Sequence, residues 1–107
     1  MDDVRLLRVL KALAHPRRFQ MIQEIASAGR ELSCGDVQDS CPMAQPTVSH
    51  HLKILVDAGL IVSRQDGKHR YTSVNRELLA EVGALLPARA AAAPTRPARR
   101  RNKKTSG

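Results

Sequence analysis

The chain has 107 residues, room for one small domain, and no apolar run long enough to cross a bilayer. Its aromatic rings are those of Phe19 and Tyr71 alone, too few for a stacking platform, which argues against single-stranded nucleic acid as the main target. The formal charge of +8 is uneven: residues 1–86 hold 11 Lys/Arg against 10 Asp/Glu, and residues 87–107 hold seven basic side chains and no acid.

The first segment, Asp3 to about Ala14, reads as a helix with a narrow polar stripe of Arg5, Arg8 and Lys11. Val4, Leu6, Leu7, Val9, Leu10 and Leu13 cover the rest of its circumference. A helix apolar on most sides needs cover from two directions, and in so small a body the second cover is expected to be another copy of the chain. His15-Pro16 breaks this helix and starts the next, with proline suited to the first turn. Phe19, Met21, Ile22 and Ile25 carry the second helix to a stop at Gly29.

Ser33 and Asp36 have the spacing of a capping box for a short third helix that ends before Pro42. A fourth helix runs from Gln45 or Pro46 to Ala58, with Gly59 as its terminator. The periodicity then changes. Segments 60–65 and 68–74 flank Asp66-Gly67, a hairpin signal. Asn75 caps a last helix carrying Leu78, Leu79, Val82, Leu85 and Leu86, a broad apolar face expected to pair with the first helix across a dimer, and Pro87 is expected to end it. The expected fold is therefore mainly α with a β-hairpin wing, a winged helix-turn-helix over residues 1–86. A basic Pro/Ala/Arg-rich tail, 87–107, has too little to bury and is expected to be disordered.

Residues 44–55 carry the most chemistry. Val48, Leu52 and Leu55 recur at helical spacing and pin the fourth helix to the core. Thr47, His50 and Ile54 point away, with Gln45, Ser49 and Lys53 on the margins and no carboxylate before Asp57. Short donors and acceptors on such a face suit the major groove of duplex DNA. Lys68, His69 and Arg70 make the hairpin tip basic, suited to phosphate. The candidate DNA-binding residues are thus Gln45, Thr47, Ser49, His50 and Lys53 on the helix, and Lys68, His69 and Arg70 on a wing spanning 64–72.

Three stretches together, Leu10-Lys11-Ala12-Leu13-Ala14-His15-Pro16-Arg17-Arg18, then Gln45-Pro46-Thr47-Val48-Ser49-His50-His51-Leu52-Lys53-Ile54-Leu55 with Ala58-Gly59-Leu60-Ile61, and Asp66-Gly67-Lys68 with Tyr71, resemble the ArsR/SmtB family of bacterial regulators over about residues 4–86. The resemblance implies a cytoplasmic homodimer that binds a double-stranded DNA operator and represses transcription, with no membrane partner. Many members of that family release DNA on binding a metal. The arsenic-type members carry Glu-Leu-Cys-Val-Cys-Asp in the third helix, whereas this chain has Glu31-Leu32-Ser33-Cys34-Gly35-Asp36; zinc-type members use Asp and His on a last helix that here lacks histidine. Neither a metal nor another cofactor is expected, and the inducer is open. Cys34 and Cys41 read as small core residues. His15, His50, His51 and His69 are scattered along the sequence over three elements. Ala44 stands where many members have a capping serine.

Two other functions compete with operator binding. One is a protein-interaction module that keeps the fold, and the other is a non-specific DNA binder driven by the tail. No phosphate loop, paired carboxylates or Cys/His/Asp constellation suited to catalysis occurs, so no enzyme is expected.

Overall fold

The structure, a computed structural model, describes residues 1–92. In chain order it contains α1 (Asp3–Leu13), α2 (Pro16–Ser27), β1 (Leu32–Ser33), α3 (Cys34–Ser40), α4 (Gln45–Asp57), β2 (Ile61–Asp66), β3 (His69–Val74) and α5 (Arg76–Ala92). Most boundaries have a local cause. Asp2 Oδ1 accepts from the Arg5 amide at 2.8 Å and starts α1. His15 Nδ1 accepts from the Arg17 amide at 3.2 Å, and Pro16 opens α2 as expected. Ser33 and Asp36 exchange two bonds of 3.1 Å, forming the expected capping box of α3.

Gly59, with φ +85°, turns the chain out of α4 in a conformation that favours glycine; a Cβ there would also stand 3.4 Å from Leu78 Cδ2. Asn75 then uses both ends of its amide: Oδ1 accepts from the Leu78 amide at 3.1 Å, and Nδ2 donates to the Gly59 carbonyl at 3.0 Å. One residue thereby caps α5 and ties it to the exit of α4.

The core lies where these helices meet the sheet. Val9, Met21, Val37, Leu55 and Leu60 are its most completely buried apolar residues, joined by Val48 and Leu52 from α4 and by Leu78 and Val82 from α5. The expected inward stripe of α4 is thus the observed one. Phe19 is not part of the core: it is about half exposed. Along α2 the inward line is Arg18, Met21, Ile22 and Ile25, and Phe19 falls well to its side at 100° per residue. Arg18 takes the inward place because its guanidinium has partners there, Nε donating to the Ala12 carbonyl at 2.7 Å.

Three further expectations need correction. The sheet has three antiparallel strands in the order β1-β3-β2, with Leu32 opposite Thr72 and Ser33 opposite Tyr71. Two residues were too short to show strand periodicity, but Thr72 Oγ1 donates to the Leu32 carbonyl at 3.2 Å and anchors them. Asp66 pairs with His69, so the loop is Gly67-Lys68 rather than Asp66-Gly67, with Gly67 at φ +63°. Finally, α5 passes through Pro87 to Ala92, beyond the expected domain limit at 86. Proline removes one helical bond, but Ala88, Arg89 and Ala90–92 that follow are strong helix formers. The rest of the expected tail, 93–107, lies outside the described residues.

Candidate nucleic-acid interface

Burial of Val48, Leu52 and Leu55 fixes which side of α4 faces outward. Gln45, Thr47, Ser49, His50 and Lys53 are all exposed on it. Ile54, expected on that side, is instead half-buried: the last turns of α4 pass beside α1, and Ile54 packs toward Ala12 and Ala58 in the groove between them. Lys68, His69 and Arg70 are exposed at the wing tip. A cleft between α4 and the wing is lined by Ser49, Lys53, Asp57, Ser63 and Arg70, so Ser49 and Lys53 of the helix and Arg70 of the wing share one surface. Lys53 Nζ is 3.2 Å from Asp57 Oδ2 one turn away, an exposed pair that competes weakly with a phosphate.

The segment leading into α4 is held by its neighbour. Gln38 of α3 donates through Nε2 to the Met43 carbonyl at 2.6 Å. Ala44 then occupies the N-cap with no side-chain bond to the first turn. Pro46 brings no amide hydrogen and the Thr47 amide donates to the Ala44 carbonyl at 3.0 Å, so the Gln45 amide is what this turn leaves for an external acceptor, at a helix N-terminus that favours an anion. Ala44→Ser is expected to raise the stability of the free protein by about 1 kcal/mol. A thermal melt checks this, and an unchanged midpoint contradicts it.

The histidines are less scattered in space than in sequence. The His15 and His51 rings are 4.7 Å apart, and His50 and His51 are 5.9 Å apart. Arg18 Nη1 stands 3.4 Å from His51 Nδ1. His51 is buried, 7% exposed. Burial first, then the charges of His15, Arg18, His50 and Arg17, hold its pKa below the ordinary 6.5. A histidine depressed in the fold binds its proton more tightly once unfolded. Its contribution to stability is therefore complete above 6.5 and is lost as pH falls toward the folded value. His51→Gln is expected to flatten the decline in melting temperature between about pH 7 and pH 5. An undiminished slope in the variant contradicts this assignment.

The cysteines divide. Cys41 is buried as expected, and burial, followed by the charge of Glu24, raises its thiol pKa. Cys34 is exposed, contrary to its core-like spacing, because it opens the first turn of α3 on the wing side. Both thiols are free. The donor set does not fit the metals of the resembled regulators: Ser33 and Gly35 occupy the two thiolate positions. Among the described residues no group of three or more His, Cys, Asp or Glu side chains is arranged to hold a metal ion.

One feature of the wing had no signal in the sequence. Arg64 on β2 donates from Nε and Nη2 to the two carboxylate oxygens of Glu31, at 3.0 and 2.8 Å, although 33 positions separate them. Only the register of three strands brings the two residues together.

A family model described as a helix-turn-helix domain matches residues 13–64. An uncharacterized HTH-type transcriptional regulator, YceK of Bacillus subtilis, is 36% identical over 76 residues, covering 71% of this chain and 76% of that protein. The arsenical resistance operon repressor of Staphylococcus xylosus is 35% identical over 79 residues, covering 74% of each chain. Among solved structures, the homodimeric winged helix-turn-helix DNA-binding domain of a possible ArsR-family transcriptional regulator from Mycobacterium bovis superposes with a TM-score of 0.65 at 28% identity. That match covers 85% of this chain and 88% of the other.

Proposed function

The chain belongs to the ArsR/SmtB family of winged helix-turn-helix transcriptional regulators, and on that premise we propose that it represses transcription by binding duplex operator DNA as a homodimer. The observation that carries this reading is the outer face of α4: five exposed polar residues, no carboxylate before Asp57, and a basic wing tip across one shared cleft. The major groove admits an α-helix and presents a distinct pattern of donors and acceptors for each base pair. Gln45, Thr47, Ser49 and His50, in the first half of α4, reach base edges. Lys53, Lys68 and Arg70 neutralise phosphates, the His69 ring offers a hydrogen bond beside them, and a further phosphate accepts from the Gln45 amide at the uncapped start of α4.

Dimerisation follows from what α1 and α5 leave uncovered. Val4 and Leu7 are 70% and 58% exposed on α1, and Leu86 is 43% exposed on α5. The chain start just before α1 reaches α5, the Met1 amino group 3.7 Å from Glu81 Oε2. A second copy covering these residues sets two recognition helices about 34 Å apart, one turn of duplex, so the operator is a two-fold repeat. Repression then requires only occupancy of a site that overlaps a promoter, in the cytoplasm and without membrane or cofactor. The seven basic residues of 87–107 add sequence-independent attraction.

Selection of duplexes from a random pool tests the reading. Enrichment of a two-fold symmetric site is the expected result; a pool that stays random contradicts it.

A further inference from the structure

The face of the wing that carries Arg64 is organised around the one tyrosine of the chain. Register places Arg64 opposite Tyr71, and Tyr71 opposite Ser33. Alternation along a strand puts Glu31, two residues before Ser33, on the same side. The carboxylate of Glu31 therefore reaches across the middle strand β3 to the guanidinium on the outer strand β2. The Arg64 Cζ atom lies 5.0 Å from the centre of the Tyr71 ring, so the cation is held both by an ion pair and by an aromatic face. A third contact, Arg64 Nη1 to Asp66 Oδ2 at 3.8 Å, runs toward the tip.

The location of this group matters more than its strength. β1 ends at Leu32–Ser33, so beyond the row of Ser33, Tyr71 and Arg64 the wing continues as two strands only, paired Gln65 with Arg70 and Asp66 with His69. That two-stranded tip is the part bearing Lys68, His69 and Arg70. A short two-stranded ribbon has little orientational stability of its own. The arginine hydrogen bonds hold the Glu31 carboxyl below its ordinary range, so it stays ionised and paired at neutral pH.

We propose that Glu31, Arg64 and Tyr71 form a clamp that fixes the direction of the wing tip relative to the recognition helix, and that Glu31 is thereby a positioning residue for operator binding although it makes no contact with DNA. The inference rests on the operator-binding reading above and deepens it. It makes a prediction opposite in sign to simple electrostatics. Removing an acid from a DNA-binding protein strengthens its attraction to phosphate. Loosening the clamp weakens binding, because the tip must then be ordered when DNA arrives.

The test compares the full chain with Glu31→Gln and with the charge-reversed pair Glu31→Arg/Arg64→Glu, using a duplex enriched from random sequence by the unaltered protein. Glu31→Gln is expected to bind that duplex about three- to tenfold more weakly, the size of an exposed ion-pair coupling counted over the two wings of a dimer. Its melting temperature should fall by no more than about 5 °C, since both partners are about half exposed and the fold itself is kept. Tyr71 is the only tyrosine and no tryptophan is present, so intrinsic fluorescence reports on the clamp without DNA. Its anisotropy should fall in Glu31→Gln and recover in the reversed pair. Equal or tighter binding by Glu31→Gln, or an unaltered anisotropy, overturns the proposal. If the unaltered protein enriches no duplex, operator binding is what fails, and the anisotropy of the DNA-free variants alone decides the clamp.

Discussion

Replacing Thr47 and His50 together with glutamate is expected to abolish operator binding while leaving the fold intact. Both side chains are exposed on α4, so neither change opens a cavity or breaks a core contact. Two carboxylates on the face proposed to enter the major groove meet phosphates of like charge at a cost of several kcal/mol. They also remove two readers of base edges, each worth about 1–3 kcal/mol. The combined loss is at least about 100-fold in affinity, readable by fluorescence anisotropy on a labelled duplex. A circular dichroism spectrum matching that of the unaltered protein shows that folding is preserved. Binding within a few-fold of the unaltered protein means that α4 does not enter the groove.

The second large effect concerns association. Leu7→Glu places a charge on the exposed apolar face of α1, where the unpartnered chain loses little because the site is already 58% exposed. In a dimer the same carboxylate is buried against apolar surface, and a residue at the centre of an interface commonly carries about 2–4 kcal/mol. Dimer dissociation is therefore expected to shift by about 30- to 1,000-fold toward the monomer. Light scattering at fixed protein concentration measures it. Operator affinity should fall in parallel, since one recognition helix reads only half of a two-fold site. A Leu7→Glu protein that remains dimeric places the association surface elsewhere.

Both predictions rest on features that could be read from the sequence, and the reason is physical. The stripe Val48-Leu52-Leu55 has a single helical solution, and once it is inward the polar residues of α4 can only face out. Ser33 and Asp36 fix the start of α3 by a local exchange of hydrogen bonds, and Asn75 does the same for α5. What sequence reasoning missed depends on partners distant along the chain. Glu31 and Arg64 meet only because β1 pairs with β3, and a two-residue strand gives no periodic signal. Arg18 has an inward place on α2 because the Ala12 carbonyl and His51 wait there, while Phe19 is left outside. Cys34 followed apolar spacing, yet it opens a seven-residue helix whose inward line needs only Val37, with Cys41 buried at its end. Pro87 reads locally as a stop, and the alanines after it carry the helix on.

The charge distribution poses the most direct challenge to the account. On the proposed reading, a body with 11 basic and 10 acidic residues over positions 1–86 binds DNA through placement of charge rather than its amount, whereas seven basic residues and no acid in 87–107 would attract any polyanion. The decisive measurement is a salt-titrated binding curve for duplex DNA from upstream of the protein's own gene against a scrambled duplex. It is made with the full chain and with a variant whose seven basic residues in 87–107 are glutamine. Operator binding by a winged helix predicts that the glutamine variant loses affinity for both duplexes and part of the salt slope, yet keeps its preference for the upstream duplex. Loss of that preference together with the tail charges, or no preference in either protein, contradicts sequence reading by α4 and the wing.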